Sequence, residues 1–284
     1  MQLGRFPYAW LAPEAPPRPF GDHNALKRDY LPADYLREIA DTGITASVFV
    51  EANAGAPEAS EIEWVEEITL PPLPSATVGN LDLRRPDAAR ILAAFQRSPR
   101  LRGIRMSLCW DDRPRWRFID RPDVMRDEAF HAGLAALTRQ GLVFDVLVVP
   151  GQLAQLAALA RDNPEQVMVL NHFGTPLTET ADDRVTWREG MRDCARCPNI
   201  FVKISGLWPL DRQWRPEIIG EPVRFVADLF GPGRCMWASN LPVESLMCPV
   251  QQQILNLEEV LQGFGEDDKD RIFRATAKGV YRIE

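Results

Sequence analysis

The chain has 284 residues, 45% of them hydrophobic and 26% charged, with a formal net charge of -7. That composition predicts a soluble globular protein with a sizeable core, and the acidic balance without a basic stripe excludes nucleic acid and anionic membrane as partners. No run reaches the roughly 18 consecutive apolar residues of a membrane helix, and three histidines (His23, His131 and His172) limit any metal site before a motif is read.

Residues 1–31 read as a proline-rich arm. Six prolines fall between residues 7 and 32, and proline fixes φ and donates no hydrogen bond, which predicts neither strand nor helix there. The start lacks a basic stretch followed by an apolar run, so it does not read as a secretory signal. Five scattered cysteines, Cys109, Cys194, Cys197, Cys235 and Cys248, suit free thiols in a reducing cytoplasm.

Residues 32–284 read as one barrel domain. A helix is predicted from Pro32 to Thr42, stopped by Gly43, then a strand at 46–52 and a helix at 58–69. A strand at 75–83 precedes a helix at 86–97. A strand at 101–108 precedes a helix from Pro122 to Gln140, stopped by Gly141. Strands at 142–149, 167–173, 200–207 and 235–241 follow, interleaved with helices at 151–162, 183–196 and 216–230. Two more helices, at 250–263 and 267–281, complete the chain.

Apolar β-branched runs alternating with helical periods belong to a parallel sheet covered by helices. A unit of roughly 25–40 residues fits a (β/α)8 TIM barrel; a doubly wound open sheet is the structural alternative. No GxGxxG or GxxxxGK[ST] opens a βα turn, which removes the nucleotide-binding versions of that alternative. The strands number seven, not eight. A first strand should precede the helix at 32–42, where the arm stands, so the first strand is expected to be missing or replaced.

In a barrel the chemistry sits at the C-terminal ends of the strands. Polar residues gather there: Glu51 and Asn53, Asn80 and Asp82, Arg105 and Ser107, Asp145, His172, Lys203 and Ser205, then Ser239 and Asn240. Two-residue alternation puts Lys203 and Ser205 on one face, His172 with Leu170, and Asn240 with Ala238. Structural roles compete with chemical ones. His172 could be a hydrogen-bonded structural residue, Arg105 an ion-pair partner and Glu51 a loop cap. Lys203 on a buried strand needs a partner. Cys194 and Cys197 read as ordinary thiols, His131 as helix packing, and His23 is placed in the arm, where it could reach the barrel mouth.

VLNHFGTP (169–176), a helix with Trp187, CPNIFVKISGL (197–207) and FGPGRCMWASNLPVE (230–244) resemble the amidohydrolase-related TIM-barrel hydrolases. The branch is that of 2-pyrone-4,6-dicarboxylate lactonase and sugar lactonases. RDYLPADYLREIADTGITASVFVEA, LRGIRMSL, GLVFDVLVVPGQL and RIFRATAKGVYRI extend the resemblance over about residues 8–284. It implies hydrolysis of a lactone or related carbonyl compound. It also implies an HxH pair on strand one, a His on strand six and an Asp on strand eight. His172 matches the strand-six His, Asn240 stands where the Asp would be, and the HxH pair has no counterpart.

An amide has no basic site near neutral pH, so Asn240 cannot act as the family's base; it can orient water or donate to a carbonyl oxygen. Catalytic zinc takes three protein ligands, and only His172 is a strong candidate. No cofactor is therefore expected, zinc being the one metal left open. The leading reading is a metal-independent or metal-poor hydrolase of a small molecule, with His172, Asn240 and Lys203 catalytic and Arg105, Ser205, Glu51, Ser107 and Asn53 binding substrate. The alternatives are a non-hydrolytic barrel enzyme, such as a decarboxylase or isomerase, and a non-catalytic barrel that binds a ligand or partner. A homo-oligomer is left open.

Overall fold

A computed structural model describes residues 1–15, 18–54, 60–69 and 73–284. Seven strands form one parallel sheet in the order β1 to β7. They are β1 (Val48–Val50), β2 (Ala76–Asn80), β3 (Leu101–Ser107), β4 (Val143–Leu147), β5 (Met168–Leu170), β6 (Ile200–Ile204) and β7 (Cys235–Trp237). Helices alternate with them: α1 (Pro32–Glu38), α2 (Ser60–Ile68), α3 (Ala88–Phe95), α4 (Glu128–Arg139), α5 (Leu153–Asp162), α6 (Ala181–Ala195), α7 (Pro216–Phe230) and α8 (Val250–Val260). The last helical stretch runs through α9 (Glu266–Asp270), a π segment (Arg271–Ala275) and α10 (Thr276–Val280). This is the curled sheet of a TIM barrel, as the alternation of apolar runs and helical periods predicts.

Local chemistry sets the boundaries. Pro32 opens α1, and Asp34 accepts the Leu31 N–H at 3.0 Å. Thr180 and Asp183 exchange side-chain to backbone bonds at 3.1 and 2.9 Å; this capping box starts α6 two residues before the predicted position. The helix predicted from Pro122 is instead a 3-10 turn (Val124–Arg126) followed by α4. For the helix predicted at 58–69, residues 58 and 59 lie outside the described residues, as do Pro16 and Pro17 of the arm.

Among the described residues no pairing joins β7 to β1. The arm packs beside these two ends. Met1, Phe6, Tyr8 and Leu11 are buried with Trp64 and Val65 of α2, against Phe49 of β1 and Val243 and Leu246 beyond β7. Tyr8 N donates to Ala54 O at 3.0 Å. Its hydroxyl donates to the buried Glu61 at 2.5 Å, and Glu61 also accepts the Ala52 N–H at 2.8 Å. Covering sheet ends in this way removes an aggregation hazard. The first strand is thus absent from the described sheet, as expected, and the arm packs beside β1.

Inside the sheet, Ala76, Val78, Val143, Val169 and Met236 pack around Tyr281, which follows α10 and is 1% exposed. The far end of the chain therefore reaches the barrel interior.

Candidate active site

Strand pairing brings the polar side chains into one layer. Asn80 of β2 is in register with Arg105 of β3, and Arg105 with Asp145 of β4. Asp145 is fully buried and forms an ion pair with Lys203 of β6. It also accepts from Tyr281 at 2.9 Å and from the Asn171 amide at 2.8 Å. Lys203 lies over the Tyr281 ring, 5.2 Å from its centre. The partner that a buried ammonium requires is thus Asp145, and burial still pulls the Lys203 pKa below its ordinary value.

His172 stands one residue beyond Asn171, but strand alternation does not place it. β5 ends at Leu170, and His172 (φ 48°) and Phe173 (φ 58°) both take left-handed backbone. The expected sharing of a face with Leu170 therefore fails. Trp187 of α6 donates to Phe173 O at 2.9 Å and Thr175 N to His172 O at 2.8 Å, bonds that pin the turn. His172 Nδ1 meets Ser205 Oγ at 3.0 Å. Gly206 (φ +61°) abuts the imidazole: a Cβ there would sit 2.8 Å from His172 Cβ.

Burial, then the positive charges of Arg105 and Lys203, lower the His172 pKa to about 3. The ring is therefore neutral throughout the physiological range. Arg105 is half-buried, and its Nη2 donates to Glu51 O at 2.6 Å. Its Nε is buried without a hydrogen-bond partner among the described residues. Glu51 accepts the Asn80 N–H at 2.9 Å.

Asn80 donates its side-chain amide to Asn53 at 2.5 Å. Asn53, Asn80, Asp82 and Ser107 line a cavity of about 440 Å³ at these strand ends, with Arg84 and Phe118 among its other walls. His172, Lys203, Ser205 and Asn240 are not among those walls. The predicted residues therefore fall into two adjoining groups that meet at β3.

Asn240 also departs from alternation. β7 ends at Trp237 and Asn240 has φ 51°. Its amide donates to Glu244 at 3.0 Å. Glu244 is fully buried, accepts from Trp214 Nε1 at 2.7 Å, and accepts backbone N–H groups of Gly206 and Trp208. Burial raises its pKa despite these donors. Glu244, Tyr281, Asn171 and Gly206 were missed from the sequence. Only Asn171, adjacent to His172, carried a positional hint.

The described residues contain no group of three His, Cys, Asp or Glu side chains that could hold a metal. His172 has a hydroxyl at Nδ1 and cations as its charged neighbours. One imidazole beside two cations does not make the three-ligand set of catalytic zinc, and this donor set does not fit the ion. Cys194 and Cys197 are free, buried thiols that face the Leu153 and Ala157 carbonyls. No helix among the described residues is long and apolar enough to cross a membrane.

The profile described as amidohydrolase matches residues 10–283. An L-fucono-1,5-lactonase of Burkholderia multivorans is 32% identical, over 82% of this chain and 79% of that protein. An L-fucono-1,5-lactonase of Burkholderia ambifaria is 29% identical, over 92% and 88% respectively. A crystal structure of a Burkholderia multivorans amidohydrolase with bound zinc superposes with a TM-score of 0.81 at 28% identity, covering 98% of this chain and 94% of that one.

Proposed function

This chain belongs to the amidohydrolase family, and we propose that it hydrolyses a small lactone without a metal. The observation that carries the reading is the neutral His172, held by Ser205 and flanked by Arg105 and Lys203 at the C-terminal end of the barrel. The lactonases among its relatives support the substrate class.

In this reading water attacks the lactone carbonyl carbon, and the carbonyl oxygen takes the negative charge. Arg105 meets that charge with its guanidinium. His172 donates Nδ1–H to Ser205 Oγ, which leaves Nε2 to accept the proton of the attacking water. The ring C–O bond then breaks, and the same proton passes to the leaving oxygen. The product is an open hydroxy acid.

A pKa of about 3 makes His172 a weak base at rest. The depression comes partly from Arg105 and Lys203, and an oxyanion beside Arg105 cancels part of that field. The ring becomes more basic as the charge develops. Lys203, engaged by Asp145, contributes charge and position. Asn240 acts through Glu244 and Gly206 on the His172 pocket. Glu51 orients Arg105, while Asn53 and Ser107 bind substrate oxygens from the cavity wall.

The test is a lactone panel assayed with purified protein before and after dialysis against chelator. Turnover that survives chelation is expected. Absence of turnover on every lactone would sink the reading.

A further inference from the structure

Hydrolysis of a lactone changes the charge of what the site holds. A simple lactone ring is neutral, and the hydroxy acid it becomes is an anion at neutral pH. Arg105, which meets the developing oxyanion, attracts the product carboxylate as well. The product must still leave, so the charge on the adjoining cavity wall bears on turnover.

Ser107 of that wall lies two residues beyond Arg105 on β3, on the same face of the strand. The same 440 Å³ cavity is walled by Asp82 and Arg84, between β2 and α3, and by Asp120, between β3 and α4. Asp82 grips Arg84 with both oxygens, which accept from Nε at 3.0 Å and from Nη2 at 2.7 Å. It also accepts the Arg84 backbone N–H at 3.0 Å, which fixes the two in one turn. Asp120 accepts from Nη1 of the same guanidinium at 2.6 Å. Two carboxylates thus bracket one guanidinium, and one negative charge is left over.

Arg117 is the other cation of the wall. Its Nε and Nη2 donate to Asp111 O and Asp112 O at 2.9 and 2.7 Å, and its guanidinium lies over Trp110, 5.3 Å from the ring centre. Both guanidiniums are therefore engaged by the protein, while an anion entering the cavity meets two carboxylates. The hydrogen bond from Arg84 holds the Asp120 carboxyl below its ordinary pKa, so the charge persists at mildly acidic pH. Asp82 and Asp120 are 40% and 60% exposed, so solvent screens them and the discrimination is about tenfold, not absolute.

We propose that Asp82 and Asp120, braced by Arg84, select against carboxylates in this cavity: the neutral lactone enters and the hydroxy acid is expelled. By the same rule a lactone that itself carries a carboxylate is a poor substrate. The place of this selection in the reaction rests on the hydrolase reading; the selection itself does not.

The test uses ligand-observed NMR with two probes that match in shape and differ in charge, tetrahydropyran-4-carboxamide and tetrahydropyran-4-carboxylate. Neither is a lactone. The wild type should bind the amide at least about tenfold more tightly. Asp120→Asn and Asp82→Asn keep the side-chain shape, and each should bring the two affinities closer by about fivefold to tenfold. Arg84→Met leaves both carboxylates unpaired and should move them further apart. A wall that only supports the fold would not give opposite signs. Inhibition of δ-valerolactone hydrolysis by 5-hydroxypentanoate adds a kinetic readout: its inhibition constant, relative to KM, should fall about tenfold in Asp120→Asn. Carboxylate binding to the wild type as tight as the amide, no binding of either probe, or variants that leave the ratio unchanged would overturn the selection. Discrimination between the probes without turnover of any lactone would sustain it and remove the hydrolase reading. Turnover together with tight carboxylate binding would do the reverse.

Discussion

Asn240 donates its side-chain amide to the fully buried Glu244 at 3.0 Å, and the same carboxylate receives the backbone N–H of Gly206, the residue against which His172 packs. The amide at position 240 is therefore matched to a carboxylate partner. Asn240→Asp would set two carboxyl groups against each other in a buried site, where both cannot ionise. It should cost about 1–3 kcal/mol, more at pH 8 than at pH 5, and Glu244→Gln in the same chain should restore much of it. Denaturant titrations at the two pH values check this. Stoichiometric zinc uptake by Asn240→Asp, measured by elemental analysis, would contradict it.

Gly206→Ala should displace the His172 ring. The new Cβ would lie 2.8 Å from His172 Cβ, and the backbone is at φ +61°. Left-handed strain alone costs about 1 kcal/mol or more. A lower thermal midpoint should accompany at least a tenfold loss of kcat. Ser205→Ala, which removes the 3.0 Å contact without strain, should lower kcat with little change in stability.

The sheet was legible because its strands are short, largely apolar runs, most of them buried, and all seven fall within their predicted spans. The ends of the fifth and seventh were not, because the backbone at His172, Phe173 and Asn240 turns left-handed. Trp187 holds the first of these turns and Glu244 the second, contacts that no strand or helix period in the sequence marks. Lys203 was legible as a buried charge in want of a partner. Tyr281 was not, because a tyrosine after the last helix carries no sign that it enters the barrel.

Lys203 and Asp145 form a buried pair, and removing one partner strands the other. Lys203→Met and Asp145→Leu should each cost about 3–5 kcal/mol, and the double variant less than their sum. Tyr281→Phe removes only a hydroxyl donor to Asp145 and should cost about 1–2 kcal/mol. Denaturation of the four proteins checks the ordering; additive losses would show that the pair is not coupled.

His172 should not titrate between pH 5 and 8 in NMR spectra, since its pKa is held at about 3. Arg105→Met removes one of the two depressing cations and should move that pKa upward, toward the ordinary 6.5. The linkage has a definite sign. The unfolded chain binds the proton first, so stability falls as pH drops from 6.5 toward 3, and His172→Gln should remove that component. A wild-type His172 midpoint near 6.5 would contradict the electrostatics proposed for the site.

The most direct measurement is the rate of lactone hydrolysis by chelator-dialysed protein, wild type against Arg105→Met and His172→Gln. The wild type should keep its rate, and each variant should lose about a hundredfold or more in kcat, the scale of a lost oxyanion donor or acid–base group. A wild-type rate abolished by chelation and restored by zinc, or variants as fast as wild type, would contradict metal-independent hydrolysis at His172 and Arg105.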